Sequence, residues 1–168
     1  LNVYKKQFGF PVCLVRSANV YGARQQLFKI VPKAVVSLMR GERLPLHGGG
    51  ESTRSFIHIA DVSVAERLVL EQGNVGDIYH ISHDREVSIR NLVEIVCKNM
   101  GKDFDQCVDI VGERAGKDSA YTLSSKKINS LGWFTRVKLQ EGIQEVIDWA
   151  KENDIHKKST GLEYIHKR

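Results

Sequence analysis

Pro11-Val12-Cys13-Leu14-Val15 is a short, continuous apolar run. Unbroken apolar character over so few residues reads as a strand covered on both faces, as in a parallel sheet. Strand and helix signals alternate on the rest of the chain, which places the protein in the α/β class. Residues 28–40 have helical spacing, with Ile30, Ala34 and Leu38 on one side and Gly41 as the stop. Leu44 to His47 reads as a strand, followed by a turn at Gly48-Gly49-Gly50. Residues 53–59 are expected as one strand whose period of two puts Arg54, Phe56 and His58 on a common face. Asp61 is expected to cap a helix running to about Gly73, with Ala65, Leu68 and Val69 inward. Ile78 to Ser82 and Val108 to Val111 are further strands. Ser88 caps the clearest amphipathic helix, striped by Ile89, Leu92, Val93, Val96 and Met100. A last helix carries Leu139, Ile143, Val146, Ile147 and Ala150, and the tail beyond Asp154 lacks such a stripe and is expected to fray.

The 168 residues are 42 % hydrophobic and 27 % charged, with 3 Pro and 14 Gly. That composition is globular and excludes a disordered, fibrous or low-complexity chain. No stretch approaches the roughly 20 apolar residues that span a bilayer, so no membrane partner is expected. Leu1-Asn2-Val3-Tyr4-Lys5-Lys6 is not read as a signal peptide, because no apolar segment follows the charges. Cys13, Cys97 and Cys107 have no CxxC spacing and read as reduced thiols of a cytoplasmic protein. The net charge of +5 comes from scattered basic residues without interleaved aromatics, so nucleic acid is not an expected partner. No metal site is read from His80 and His83, since no third ligand stands at a telling spacing. Neither G-x-G-x-x-G nor G-x-S-x-G is present. Gly112 to Asp118 is one residue short of a P-loop and has Asp118 where a hydroxyl should meet magnesium. No tyrosine is followed four residues later by lysine.

Arg16-Ser17-Ala18-Asn19-Val20-Tyr21-Gly22 resembles the R-x-x-N-x-Y-G segment of extended short-chain dehydrogenase/reductases acting on nucleotide sugars. In the same order follow Lys29-Ile30-Val31-Pro32, like K-x-x-P, and Gly41 with Leu44 to Gly48, like G-x-x-L-x-x-x-G. Arg54 to Val62 resembles R-D-[FWY]-[IV]-[HY]-V-x-D, and Asp77 to Ser82 resembles E-x-Y-N-[IV]-G. Arg114 to Asp118 resembles R-P-G-x-D, and Leu131-Gly132-Trp133 resembles L-G-W. Each motif is weak alone; their shared order makes the resemblance specific. It covers nearly the whole chain but only the C-terminal half of such an enzyme, and it leans toward dTDP-glucose 4,6-dehydratase-like members. UDP-sugar epimerases and UDP-glucuronate decarboxylases are the rivals.

The resemblance implies a substrate-binding lobe plus the last strands of a Rossmann-type parallel sheet over residues 1–153, with 154–168 a poorly ordered tail. It implies an NAD-dependent parent enzyme that oxidises a sugar at C4, after which the keto intermediate undergoes elimination, epimerisation or decarboxylation. NAD and the Tyr-x-x-x-Lys base would then belong mainly to an N-terminal half, so no catalytic residue is assigned here and this chain alone is expected to be inactive. The expected ligand is a dTDP- or UDP-linked sugar, and the full-length enzyme is expected to be a homodimer. By resemblance Asn19 donates to a phosphate and Arg54 and Arg114 clamp the diphosphate. Asp118 meets a ribose hydroxyl or orients Arg114, and Lys29 and His47 lie near the base. Three departures stand out: Ser55 replaces the usual Asp, Ala115 replaces the Pro, and Lys117 adds a charge beside Asp118. The alternative is a non-catalytic nucleotide-sugar-binding module, favoured by the absent Tyr-x-x-x-Lys. The apolar strand at Val12 to Val15 would leave an edge open, so a fragment, or pairing with another chain, is the expectation.

Overall fold

The structure is a computed structural model and describes residues 1–113, 120, 122–158 and 161–162. Helix α1 (Asn2–Phe8) leads to strands β1 (Leu14–Ser17) and β2 (Asn19–Tyr21). Then come α2 (Ile30–Arg40), β3 (Leu44–His47), a 3-10 turn (Gly48–Gly50), β4 (Thr53–Arg54), β5 (Phe56–His58) and α3 (Ile59–Gln72). The chain continues through β6 (Ile78–Ile81), β7 (Val87–Ser88), α4 (Ile89–Asn99), α5 (Phe104–Cys107), β8 (Val108–Val111), α6 (Lys126–Asn129) and α7 (Leu139–Glu152). Among the described residues no helix is long and apolar enough to cross a membrane.

The strands pair two by two. Three pairs are parallel: β1 with β6 (Leu14 opposite Ile78), β2 with β5 (Asn19 opposite Phe56) and β3 with β8 (Leu44 opposite Val108). Strand β4 pairs antiparallel with β7, Thr53 opposite Ser88. Each parallel pair needs a long crossover, and the amphipathic helices occupy the crossovers. This is the expected α/β arrangement with parallel strands.

Two apolar clusters hold the fold. The first gathers α2, α4 and α7 against β3 and β8, with Val35, Leu38, Leu92, Val96, Ile143 and Ile147 buried. The caps expected from the sequence hold: Ser88 Oγ accepts from Asn91 N at 3.0 Å, and Gly41 ends α2 at φ 72°, a left-handed conformation that suits glycine. The second cluster packs Ile57, Val62, Ala65, Val69, Tyr79, Ile81, Ile128 and Trp133.

Three local readings change. Residues 53–59 are not one strand, because Ser55 breaks them between two sheets. Its carbonyl accepts from Asn19 N at 3.1 Å. Its buried hydroxyl donates to His83 O at 3.1 Å and accepts from His83 N at 3.0 Å and Ser82 Oγ at 2.9 Å. Asp61 does not cap its own helix. His58 does, its Nδ1 accepting from Ala60 N at 3.3 Å. The Asp61 carboxylate, 4 % exposed, instead accepts from the amides of Arg136 and Val137 at 3.1 Å, and its carbonyl takes Trp133 Nε1 at 3.0 Å. Strand β1 is not buried on both faces: Leu14 and Val15 are half-buried and Arg16 and Ser17 exposed. Its pairing with β6 is its only strand pairing among the described residues. Of the segment after Asp154, residues Ile155–Lys157 form a 3-10 turn whose end is tied back by Arg40, which donates to His156 O at 2.9 Å and Lys158 O at 2.8 Å.

Candidate functional site

A cleft of about 410 Å³ opens where β2, the start of α2, the β4–β5 step and the start of α4 converge. Asn19, Lys29 and Arg54 line it together with Gln25, Phe56 and Ile89. Three of the residues singled out in the sequence, 35 positions apart at the extremes, thus meet in one concavity. Asn19 is brought there by β2, which pairs in register with β5. Arg54 sits one residue before the Ser55 break, and its Nη1 donates to Thr53 O at 2.6 Å. Lys29 is the N-cap residue of α2, extended at φ −74° and ψ 146°, with its ammonium 5.4 Å from the Phe28 ring centre.

The electrostatics of this wall follow from its parts. The first intrahelical bond of α2 runs from Lys33 N to Lys29 O, so the amides of Ile30 and Val31 precede the helical ladder at the cleft wall. The Lys29 side chain itself makes no capping bond here. A helix N-terminus carries partial positive charge, and here it stands with a lysine and an arginine. Phe56, Ile30, Val31 and Ile89 supply apolar surface beside the cations. The arrangement suits a ligand with an anionic centre and a flat or apolar flank.

His47 does not line this cleft. It is exposed at the end of β3, with Nδ1 3.2 Å from Gly112 O. That contact places it beside the chain leading toward residue 114. Arg114 and Asp118 lie outside the described residues. Gln25 was not singled out in the sequence: its Nε2 donates to Val20 O at 2.6 Å and joins the loop after β2 to the strand that carries Asn19. No spacing rule marks it, since the contact spans an irregular loop in which Arg24 has φ 66°.

Tyr21 and His58, which stand opposite each other in the β2–β5 pairing, are packed into the interior. Their rings meet edge-on at 5.3 Å, with Tyr21 2 % and His58 3 % exposed. Burial pushes the Tyr21 phenol above its ordinary value, and the carboxylates of Asp61, Glu145 and Glu141 push the same way, so it stays neutral. His58 Nε2 lies 3.3 Å from Glu145 Oε2, but without the alignment of a hydrogen bond. Among the described residues no group of three or more His, Cys, Asp or Glu side chains is placed to hold a metal ion.

Residues 1–146 match the family described as GDP-mannose 4,6 dehydratase. The human dTDP-D-glucose 4,6-dehydratase is 36 % identical over 155 residues, covering 89 % of this chain and 44 % of that protein. A trifunctional UDP-glucose 4,6-dehydratase/UDP-4-keto-6-deoxy-D-glucose 3,5-epimerase/UDP-4-keto-L-rhamnose-reductase of Arabidopsis thaliana is 34 % identical over 150 residues, covering 89 % of this chain and 22 % of that protein. Among solved structures, the dTDP-glucose 4,6-dehydratase DesIV of Streptomyces venezuelae, with NAD and TYD bound, superposes with a TM-score of 0.84 at 34 % identity. It covers 90 % of this chain and 47 % of that one. The chain therefore spans less than half the length of these relatives.

Proposed function

Because this chain belongs to the GDP-mannose 4,6 dehydratase family, whose members are NAD-dependent nucleotide-sugar dehydratases and epimerases, we propose that its cleft holds the nucleoside diphosphate of a dTDP- or UDP-linked sugar. The longer protein would then carry out NAD-dependent oxidation at the sugar C4, followed by elimination or epimerisation. The supporting observation is the convergence of Asn19, Lys29 and Arg54 on one cleft at the N-terminus of α2. Arg54 offers the planar, multi-donor cation that a diphosphate requires, and the amides of Ile30 and Val31 add donors without a counter-charge. Phe56 and Ile89 give the base or ribose a dry flank. In this reading, and on the resemblance alone, Arg114 and Asp118 add contacts to the diphosphate and the ribose. Holding the substrate at its nucleotide end positions the sugar for chemistry on the other lobe.

The described residues do not form a dinucleotide cradle. Strand β1 passes through Ala18 straight into β2, without a glycine-rich turn or a following helix. NAD, which supplies the hydride acceptor when bound, is therefore assigned to the part of the longer protein beyond these residues. The apolar side chains of Leu1, Val3, Tyr4, Phe8 and Phe10, all exposed here, support contact with the rest of that protein or with a second copy of it.

Titration calorimetry with dTDP and with UDP tests the binding claim. Binding of at least one is expected, and Arg54→Ala is expected to weaken it at least about tenfold, the loss of one charge-assisted contact of about 1.5–3 kcal/mol. A folded chain that gives no heat with either nucleotide overturns the proposal.

A further inference from the structure

Ser55 is the single residue between β4, which ends at Arg54, and β5, which starts at Phe56. It does not line the candidate cleft, yet Arg54 on one side of it and Phe56 on the other both do. Its carbonyl accepts from Asn19 N at 3.1 Å, so Asn19, across the β2–β5 pairing, is tied to it as well.

The side chain of Ser55 is spent inside the protein, where Ser55, Ser82 and Ser125 are all buried. A hydroxyl has one hydrogen to give and lone pairs to receive. Ser55 Oγ donates to His83 O at 3.1 Å, and it accepts from His83 N at 3.0 Å and from Ser82 Oγ at 2.9 Å. Ser125 Oγ donates to Ser82 O at 2.9 Å and accepts from Ser82 N at 2.8 Å. The Ser55 hydroxyl is therefore saturated, and the network runs from the β4–β5 step to Ser125, the N-cap residue of α6. Thr53, on the other side of Arg54, is held differently: its Oγ1 donates to the exposed Glu86 carboxylate at 3.1 Å. Water can take the place of an exposed bond of that kind. Loss of the buried Ser55 hydroxyl instead leaves the His83 amide without its acceptor.

We propose that Ser55 is a positioning residue of the nucleotide site, which rests on the reading of the cleft given above. Its buried hydroxyl, held by Ser82, His83 and Ser125, fixes the backbone step that presents Arg54 to the cleft with Asn19 beside it. A guanidinium grips a diphosphate only when its donors are held at hydrogen-bond geometry, so the backbone carrying it must be fixed. Serine suits this place because it gives and receives at once. A carboxylate there, the residue type usual in the resembling family, has no hydrogen for His83 O.

The test is titration calorimetry of the full chain with dTDP and with UDP, run beside thermal unfolding. Ser55→Ala is expected to weaken binding at least about fivefold, although Ser55 does not line the cleft. Val69→Ala, in the second cluster, is expected to lower the unfolding temperature while leaving affinity within about twofold of the parent. Because Ser55 acts through Arg54, adding Ser55→Ala to Arg54→Ala should change affinity by less than about twofold more. Should Ser55→Ala not fold, Ser125→Ala removes the far end of the network and should weaken binding at least about twofold. A parent that binds while the folded serine variant binds equally well overturns this proposal alone. So does an equal loss in Val69→Ala, or a full additive loss in the double variant. A folded parent that binds neither nucleotide overturns the nucleotide reading and this proposal with it.

Discussion

The two apolar clusters of this molecule are built on different plans. Among the described residues the first counts seventeen buried residues, and its helices α2, α4 and α7 pack on one another as well as on β3 and β8. The second counts eight, spread over β5, α3, β6, α6 and the turn at Trp133. Helices that bury their stripes against each other close a core from within, whereas a strand pair must be covered from outside on both faces. The exposed apolar residues divide unevenly as a result. Ile59, Val64, Leu70, Val75 and Ile78 all belong to the region of the second cluster. The candidate cleft lies where the two regions meet: Asn19 and Arg54 come from the strands between them, and Lys29 and Ile89 from the first turns or caps of two helices of the first.

If that contrast is physical, truncations in the two regions should have unequal costs. Leu92→Ala, at a fully buried position of the first cluster, is expected to destabilise by about 2–5 kcal/mol. Val15→Ala, at a half-buried position of β1, should cost about 1 kcal/mol. Urea unfolding of the two variants measures both, and equal losses would break the comparison. The junction between the regions is tested by Gly142→Ala. Gly142 lies on α7 so close to Tyr21 that a Cβ would collide with its hydroxyl and approach His58 Cδ2 to 2.9 Å. Alanine is the better helix former by about 1 kcal/mol. Overpacking should nevertheless win, leaving the variant about 1–3 kcal/mol less stable in thermal or urea unfolding. A neutral or stabilised variant would show that α7 does not press on the motif residues.

The smallest effect concerns a surface pair of the second region. Lys127 Nζ lies 2.8 Å from the Asp77 carboxylate and holds it below its ordinary range, chiefly through their hydrogen bond. A carboxylate depressed in the folded state contributes stability above its unfolded pKa and loses it as pH falls through the folded value. Lys127→Met should therefore be slightly less stable than the parent at neutral pH, with the two curves converging in acid. A constant gap across that range would assign the effect to packing of Lys127 on Tyr79 instead.

Much of the fold was legible from local signals. Ser88, Gly41 and the stripe from Leu92 to Val96 did what their spacing says, because caps and helical periodicity act within a turn or two. The family motifs located Asn19, Lys29 and Arg54, and the fold unites them. What failed were the assignments that depend on distant partners. Asp61 reads as a cap because Asp caps are common, yet its carboxylate is taken by amides 75 residues away. Thr53 to Ile59 reads as one strand by alternation, yet a single serine hydroxyl hands the chain from one sheet to another. Gln25 carries no pattern because its contact is made inside an irregular loop.

The sequence by itself therefore determined the α/β class, the helices with their ends, and the residue types suited to a diphosphate. Those follow from interactions between near neighbours, which the order of residues encodes directly. Only the tertiary structure decided that Asn19, Lys29 and Arg54 share a cleft while His47 stands apart. Tertiary contacts alone also decided where Asp61 spends its charge. Parallel pairing joins segments dozens of residues apart, so register and side-chain company are settled only when the crossovers close.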